Sequence, residues 1–187
     1  NVISFGHEPI VLNRYHAAQH PLFEKYNTYI ETLPTVNDPI YEAACFRRWA
    51  ACSVFSEEHG LIVMSDFDLF HTKPITGLVS MGPKLRGYQL NCPAFVSGTA
   101  DQFTAFMEYV IAGGHAPHSI NGKPHFSDQY CFESWTGGDK PPPGLAHRST
   151  PYRRLRSALF QEQLRECGGL DLWKCAGTTS MERARIF

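Results

Sequence analysis

The sequence predicts an α/β domain with a mostly parallel sheet flanked by helices. Three observations carry that expectation. The first 65 residues alternate strand-like and helix-like segments. The segment Leu61-Ile62-Val63-Met64 is a short continuous apolar run, the pattern of a strand buried on both faces. The composition is that of a chain with a real core, 43% hydrophobic and 13% aromatic over 187 residues. Alternation of this kind favours parallel strands joined by right-handed crossovers.

Taken in order, Val2 to Phe5 reads as a buried strand closed by Gly6. Pro9 to His20 reads as a helix stopped by Pro21. Thr28 to Leu33 is strand-like and ends at Pro34. Asp38-Pro39 pairs a capping side chain with a proline at the first helical position, and opens a helix over Ile40 to His59 that stops at Gly60. The Leu61–Met64 strand follows.

The second half is less regular. Tyr88 to Val96 reads as a strand, Asp101 to Ala112 as a helix ended by Gly113-Gly114, and Ser127 to Trp135 as a helix capped by Ser127. Gly137 to Gly144, with three consecutive prolines, is a loop, and Tyr152 to Cys167 is an amphipathic helix. There are no repeats, and the reading is one domain over 1–187, with halves at 1–70 and 71–187.

Net charge is -1, so no basic excess points to nucleic acid or an anionic membrane surface. The cluster Arg153, Arg154 and Arg156 reads as an exposed helix face. The six cysteines, Cys45, Cys52, Cys92, Cys131, Cys167 and Cys175, form no CxxC pair and are scattered as reduced, buried thiols would be. No basic segment leads into an apolar run at the N-terminus, and no apolar run approaches a membrane span; the expectation is a cytoplasmic protein with no membrane span. The chain opens on Asn1 rather than an initiator Met, which suits a trimmed or partial chain and leaves an anchor elsewhere open.

The chemistry concentrates after the confident strand. In an open α/β sheet, ligands bind beyond the carboxyl ends of the strands. There the chain places Ser65, Asp66, Phe67 and Asp68. Two carboxylates one residue apart at such an edge need a positive partner. A divalent cation, Mn²⁺ or Mg²⁺, supplies one, and it also neutralises a diphosphate leaving group.

The stretch Leu61-Ile62-Val63-Met64-Ser65-Asp66-Phe67-Asp68-Leu69-Phe70 resembles the DxD segment of GT-A fold glycosyltransferases, in which a Rossmann-type sheet binds a nucleotide-sugar. Arg47-Arg48-Trp49 resembles the helix before the DxD, where a basic residue approaches the nucleotide or its phosphates. Phe126-Ser127-Asp128-Gln129 resembles the "DQ" segment of glycogenin-like and galactinol-synthase-like members, whose Asp lies near the transferred sugar. Asn91 to Gly98 is similar to their strand and turn beside the donor sugar.

The resemblance covers roughly residues 1 to 150. It implies a UDP- or GDP-sugar donor, an unidentified acceptor and a divalent metal. Asp66, Asp68 and His147 would be metal ligands; Arg47, Arg48, Ser65, Asp66, Ser97 and Gly98 would line the donor site; Asp128 and Gln129 would be catalytic. Family members complete the metal site with a late His; the flanks of His147 match poorly, and the chain is short for the fold, so the acceptor half is expected to be reduced.

Other patterns are weaker. His115, His118 and His125 have no zincin spacing and read as a solvated loop near the acceptor cleft. No glycine pattern makes a phosphate-binding signature, and Ser97 is not in a GxSxG elbow. Trp49 and Trp135 both read as core residues first, with Trp135, before Thr-Gly-Gly, the better sugar-platform candidate of the two. A haloacid-dehalogenase-type phosphatase also places DxD after an apolar strand, but would ask for Thr or Val where Phe70 stands. An inactive nucleotide-sugar-binding module of the same fold is the other alternative.

Overall fold

A computed structural model describes residues 6–66, 84–87, 93–115 and 117–136. The strand expected at Val2–Phe5, residues Phe67, Asp68 and Phe70, the loop at Gly137–Gly144, His147, the arginine cluster and the helix expected at Tyr152–Cys167 lie outside the described residues.

The organising element is α3, Pro39–His59. Its start follows the sequence signal: Asp38 Oδ1 accepts from the Ile40 N–H at 2.8 Å, and Pro39 fills the first helical position. Its end is Gly60, at φ 74°, a conformation glycine adopts without strain. Helix α3 buries Ala43, Phe46, Trp49, Ala50, Ala51, Cys52, Ser53 and Ser56, too many directions for a one-sided amphipathic helix.

Two shorter helices precede it. Helix α1, Arg14–Ala17, is shorter than the expected Pro9–His20 because Asn13 caps it by a reciprocal capping box with His16. Helix α2, Phe23–Ile30, occupies part of the segment expected as a strand over Thr28–Leu33. The β-branched residues Thr28 and Ile30 favoured a strand locally. Burial of Phe23, Tyr26 and Ile30 at helical spacing outweighs that preference, and the Tyr26 hydroxyl donates to the Phe46 carbonyl at 3.1 Å.

After α3 come β1 (Ile62–Ser65), β2 (Arg86–Gly87) and β3 (Phe95–Gly98), in the order β1-β3-β2. The expected parallel pairing is not found among the described residues: both ladders are antiparallel, with Met64 opposite Val96 and Gly87 also opposite Val96. Among the described residues, strand β1 is an edge of this sheet rather than a strand buried on both faces; only Met64 of its residues is buried, while β3 buries Val96, Ser97 and Gly98.

Helix α4, Ala100–Ile111, opens with a Thr99/Gln102 capping box and buries Phe103, Phe106, Met107 and Val110 on one face. Gly113, at φ 67°, ends it as expected. Strands β4 (His118–Ile120) and β5 (Lys123–His125) pair antiparallel across Asn121-Gly122, both at positive φ, the turn that Asn-Gly favours in a tight hairpin. The expected solvated histidine loop is therefore a hairpin: His118 is exposed, but His115 and His125 are buried. Helix α5, Asp128–Thr136, completes the described chain.

Trp49 is the centre of the core, fully buried, stacked on Phe132 at 5.4 Å and against Phe106 at 4.4 Å. Of the six cysteines, Cys52 and Cys131 are buried, Cys45 half-buried, and all three are free thiols; the other three lie outside the described residues. Among the described residues, no helix is long and apolar enough to cross a membrane.

Candidate functional site

Three elements distant in sequence converge on one guanidinium. The end of β1 carries Asp66, whose N–H donates to the Ala94 carbonyl at 2.7 Å and so extends the β1–β3 ladder. Helix α3 carries Arg48. Helix α5 opens with Asp128, a position where the helix dipole favours a carboxylate. Arg48 NH1 donates to Asp66 Oδ1 at 2.6 Å. Its Nε and NH2 both donate to Asp128 Oδ2, at 3.0 and 2.6 Å. Trp49 Nε1 adds a third bond to that oxygen at 3.1 Å.

The environment is graded. The Asp66 side chain is 34% exposed, Arg48 23% and Asp128 6%. Burial works against the Arg48 charge, but Asp128 and then Asp66 outweigh it and hold the guanidinium protonated, above its ordinary range. Burial likewise pushes the Asp128 carboxyl above its ordinary value, while Arg48 and the Trp49 N–H pull it back. The charged pair is the state these contacts favour at neutral pH, because each of the three donors on Oδ2 favours the ionised carboxylate.

One face of α3 continues the site. Tyr41, Cys45 and Arg48 recur at helical spacing. Burial and then the nearby Asp128 charge push the Cys45 thiol up to about 12, which makes it a poor nucleophile. Glu42, buried on the same helix, is raised to about 7 by burial, against the bond that Asn37 Nδ2 donates to its Oε2 at 2.7 Å.

Of the residues that the sequence pointed to, Asp66, Arg48 and Asp128 are brought together. Gln129 is exposed beside them, and Ser65 is exposed at the strand end, its hydroxyl donating to the Asp66 carbonyl at 3.2 Å. Arg47 is not at the site: its Nε donates to Asn27 at 2.7 Å and its NH2 to Glu31 at 2.8 Å, so it ties α3 to α2. Consecutive helical residues diverge by about 100°, and that places the two arginines on different neighbours.

Ser97 and Gly98 are also elsewhere. They pair with Val63 and Ile62, away from the Asp66 end of the ladder by roughly 10 Å at strand spacing. A side chain at Gly98 would meet those of Leu85, Gln102 and Phe103, so its glycine serves strand–helix packing. Asp68 and His147 lie outside the described residues. Among the described residues no group of three His, Cys, Asp or Glu side chains is placed to hold a metal; Asp66 is the one expected ligand described, and Arg48 engages its Oδ1.

The residues that sequence reasoning missed are Trp49, read as core alone, and Glu42. The direction of the Trp49 N–H has no sequence signature. Glu42 sits beside Ala43 and Phe46 on a helix buried on several sides, which gives no phase from which to place it. Trp135 packs on Phe106 and Tyr109, with Lys84 Nζ 5.2 Å from its ring centre, and its indole N–H is buried with no hydrogen-bond partner among the described residues. Compared with protein-family models, curated proteins and solved structures, the chain has no match.

Proposed function

We propose that the chain is a metal-dependent glycosyltransferase of GT-A type, transferring a sugar from a UDP- or GDP-sugar to an acceptor hydroxyl. The observation that carries this reading is the meeting of Asp66 and Asp128 on Arg48. The resemblance expects the first DxD carboxylate and the "DQ" carboxylate to face the same donor, and they belong to segments far apart in the chain. A parallel sheet with an antiparallel ladder at one side is common in α/β enzymes, so the β1–β3–β2 order is compatible with this fold.

In this reading Asp68 and His147 ligate Mn²⁺ or Mg²⁺, Asp66 reaches the metal or the ribose, and Arg48 is the basic residue near the phosphates. Asp128 and Gln129 lie on the sugar side. A divalent metal held by Asp68 and His147 would supply positive charge to the diphosphate leaving group; the bond that breaks is the one from the anomeric carbon to the phosphate oxygen. The new bond forms to the acceptor oxygen, whose proton leaves to a base or to the departing phosphate. Similarity to glycogenin favours retention of configuration. A nucleotide-sugar-binding module without turnover is the second reading. Its support is that three donors already meet Asp128 Oδ2, committing that oxygen to the fold.

Calorimetry with UDP and GDP tests the first claim. Affinity should be far higher with Mn²⁺ than with chelator, and Asp68→Asn should lose most of the difference. Equal affinity with and without metal removes the proposal. Asp128→Asn then separates the two readings: turnover should fall by roughly 10² or more for the enzyme, with nucleotide affinity near wild type.

A further inference from the structure

Residues 33–38 join α2 to α3 and run against β5. Two of their contacts converge on one atom. The Val36 N–H donates to His125 Nδ1 at 3.3 Å, and the Thr35 hydroxyl lies 3.1 Å from the same nitrogen. Thr35 Oγ1 in turn accepts from the Asn37 N–H at 3.1 Å. The Phe126 N–H donates to the Pro34 carbonyl at 2.9 Å, and Asn37 Nδ2 ties the far end to Glu42.

A backbone N–H is an obligate donor. Nδ1 of His125 must therefore keep its lone pair, and the ring proton must sit on Nε2. The Thr35 hydroxyl can then donate to Nδ1 while accepting from Asn37. A proton added at Nδ1 would face the Val36 N–H and abolish that bond, whereas the Thr35 hydroxyl could turn and accept from the new N–H. The imidazole is only 3% exposed, so water cannot readily compensate while the segment stays closed.

We propose that residues 33–38 form a strap released by acid: protonation of His125 at Nδ1 turns away the Val36 N–H, loosens the segment from the β4–β5 hairpin and opens the recess beneath it. That recess, of ≈ 80 Å³, is lined by Ile30, Leu33, Thr35, Pro39, Phe46 and Phe126 among others. The proposal stands whether or not the chain transfers sugars.

The surroundings act in the same direction. Burial, and then the His118 imidazole paired across the hairpin, hold His125 below its ordinary 6.5. From α5 the Tyr130 ring approaches edge-on at 5.8 Å. From α3, Glu42 faces Asn37 rather than His125, with Asp128 and Arg48 as its charged neighbours. A protonated Glu42 keeps an acceptor oxygen for Asn37, so its titration leaves that tie in place. Since closure buries the imidazole and burial depresses the His125 pKa, the strap's stability is complete above about pH 6.5 and is lost as pH falls below that value.

Amide hydrogen exchange of the whole chain by NMR, corrected for intrinsic rates, tests this. Between about pH 7.5 and pH 5, protection at Val36 and Phe126 should fall at least ~10-fold, while Trp49 and Phe106 hold. His125→Asn places a non-titrating acceptor oxygen near the Nδ1 position and should make Val36 protection independent of pH. Unchanged protection in wild type overturns the proposal. So does a fall that persists in His125→Asn, or one abolished by Glu42→Gln. If His125→Asn fails to fold, the wild-type imidazole nitrogens decide: a His125 that titrates without moving the Val36 amide overturns it.

Discussion

The same aromatic core buries two ionisable groups on opposite terms. Asp128 is charged and meets three donors from Arg48 and Trp49. His115, only 9% exposed, lies against the rings of Phe126, Tyr109 and Tyr29, and neither of its ring nitrogens has a hydrogen-bond partner among the described residues. The difference teaches how a core tolerates polarity. A carboxylate is kept by supplying its counter-charge and directed N–H groups, which fix its position and make any single deletion costly. An imidazole is kept by holding it neutral, and burial lowers its pKa for that reason. The first arrangement is one a binding site needs; the second contributes packing and little else.

The largest test breaks the first arrangement. Arg48→Met leaves Asp128 as a buried charge without its partner, and also frees Asp66. The expected loss is about 3–5 kcal/mol in urea unfolding at neutral pH. The penalty has a definite sign with pH. Without Arg48, burial outweighs the remaining Trp49 N–H and holds the Asp128 pKa above its unfolded value, so the variant is most stable with the carboxyl protonated and loses stability as pH rises through the folded pKa. The penalty should therefore shrink toward acid. A loss below about 1 kcal/mol would reduce the cluster to the worth of a surface ion pair.

Trp49→Phe is a finer cut. It keeps most of the stacking on Phe132 and Phe106 and removes the N–H that reaches Asp128 Oδ2 at 3.1 Å. Arg48 remains, so the carboxylate stays paired. Loss of a hydrogen bond to a charged group should cost about 1.5–3 kcal/mol. If the site is catalytic, turnover should also fall by more than nucleotide affinity, since Trp49 orients Asp128 without touching the nucleotide. Equal losses in both would make Trp49 a core residue only.

How much of this was legible follows from where the information lies. The start and stop of α3 and the stop of α4 were written locally, in Asp38-Pro39, Gly60 and Gly113. Helix α2 was misread because Thr28 and Ile30 carry β propensity, and the burial of Tyr26 that decides the matter is a tertiary fact. Strand direction is not local either. Alternation argued for parallel pairing, yet one of the strands in that alternation is helical, and the apolar run at β1 is an edge paired antiparallel with β3.

The site was legible only in part. Asp66 stood out beyond an apolar run, and Asp128 through resemblance to a "DQ" segment. Which of Arg47 and Arg48 faces them could not be read, because α3 is buried on several sides and its pattern gives no single face. The Asn121-Gly122 turn, by contrast, was a hairpin signal that would have placed His118 and His125 opposite one another.

The smallest test concerns the second arrangement, and its sign should be the reverse of the others. His115→Phe removes no hydrogen bond to the described residues, since neither ring nitrogen makes one there, and replaces a polar ring in an aromatic cage by an apolar one. The volume increase is modest, and some adjustment against Tyr109 and Phe126 is expected. At neutral pH the change should lie within about 1 kcal/mol of wild type, toward stabilisation, because desolvating an unpaired polar ring is a cost that phenylalanine avoids. The pH profile is the sharper readout. The folded His115 pKa lies below 6.5, so wild type holds its full stability above that value and loses the His115 contribution as pH falls below it. His115→Phe should remove that portion of the acid loss, and the stability difference between variant and wild type should grow in favour of the variant from about pH 6.5 downward. His125 titrates in both proteins and cancels in the difference if the two sites are independent. A variant that is markedly less stable at neutral pH, with an unchanged acid profile, would mean that the imidazole has a partner in solution, such as a buried water, and that the two halves of the core follow one rule after all.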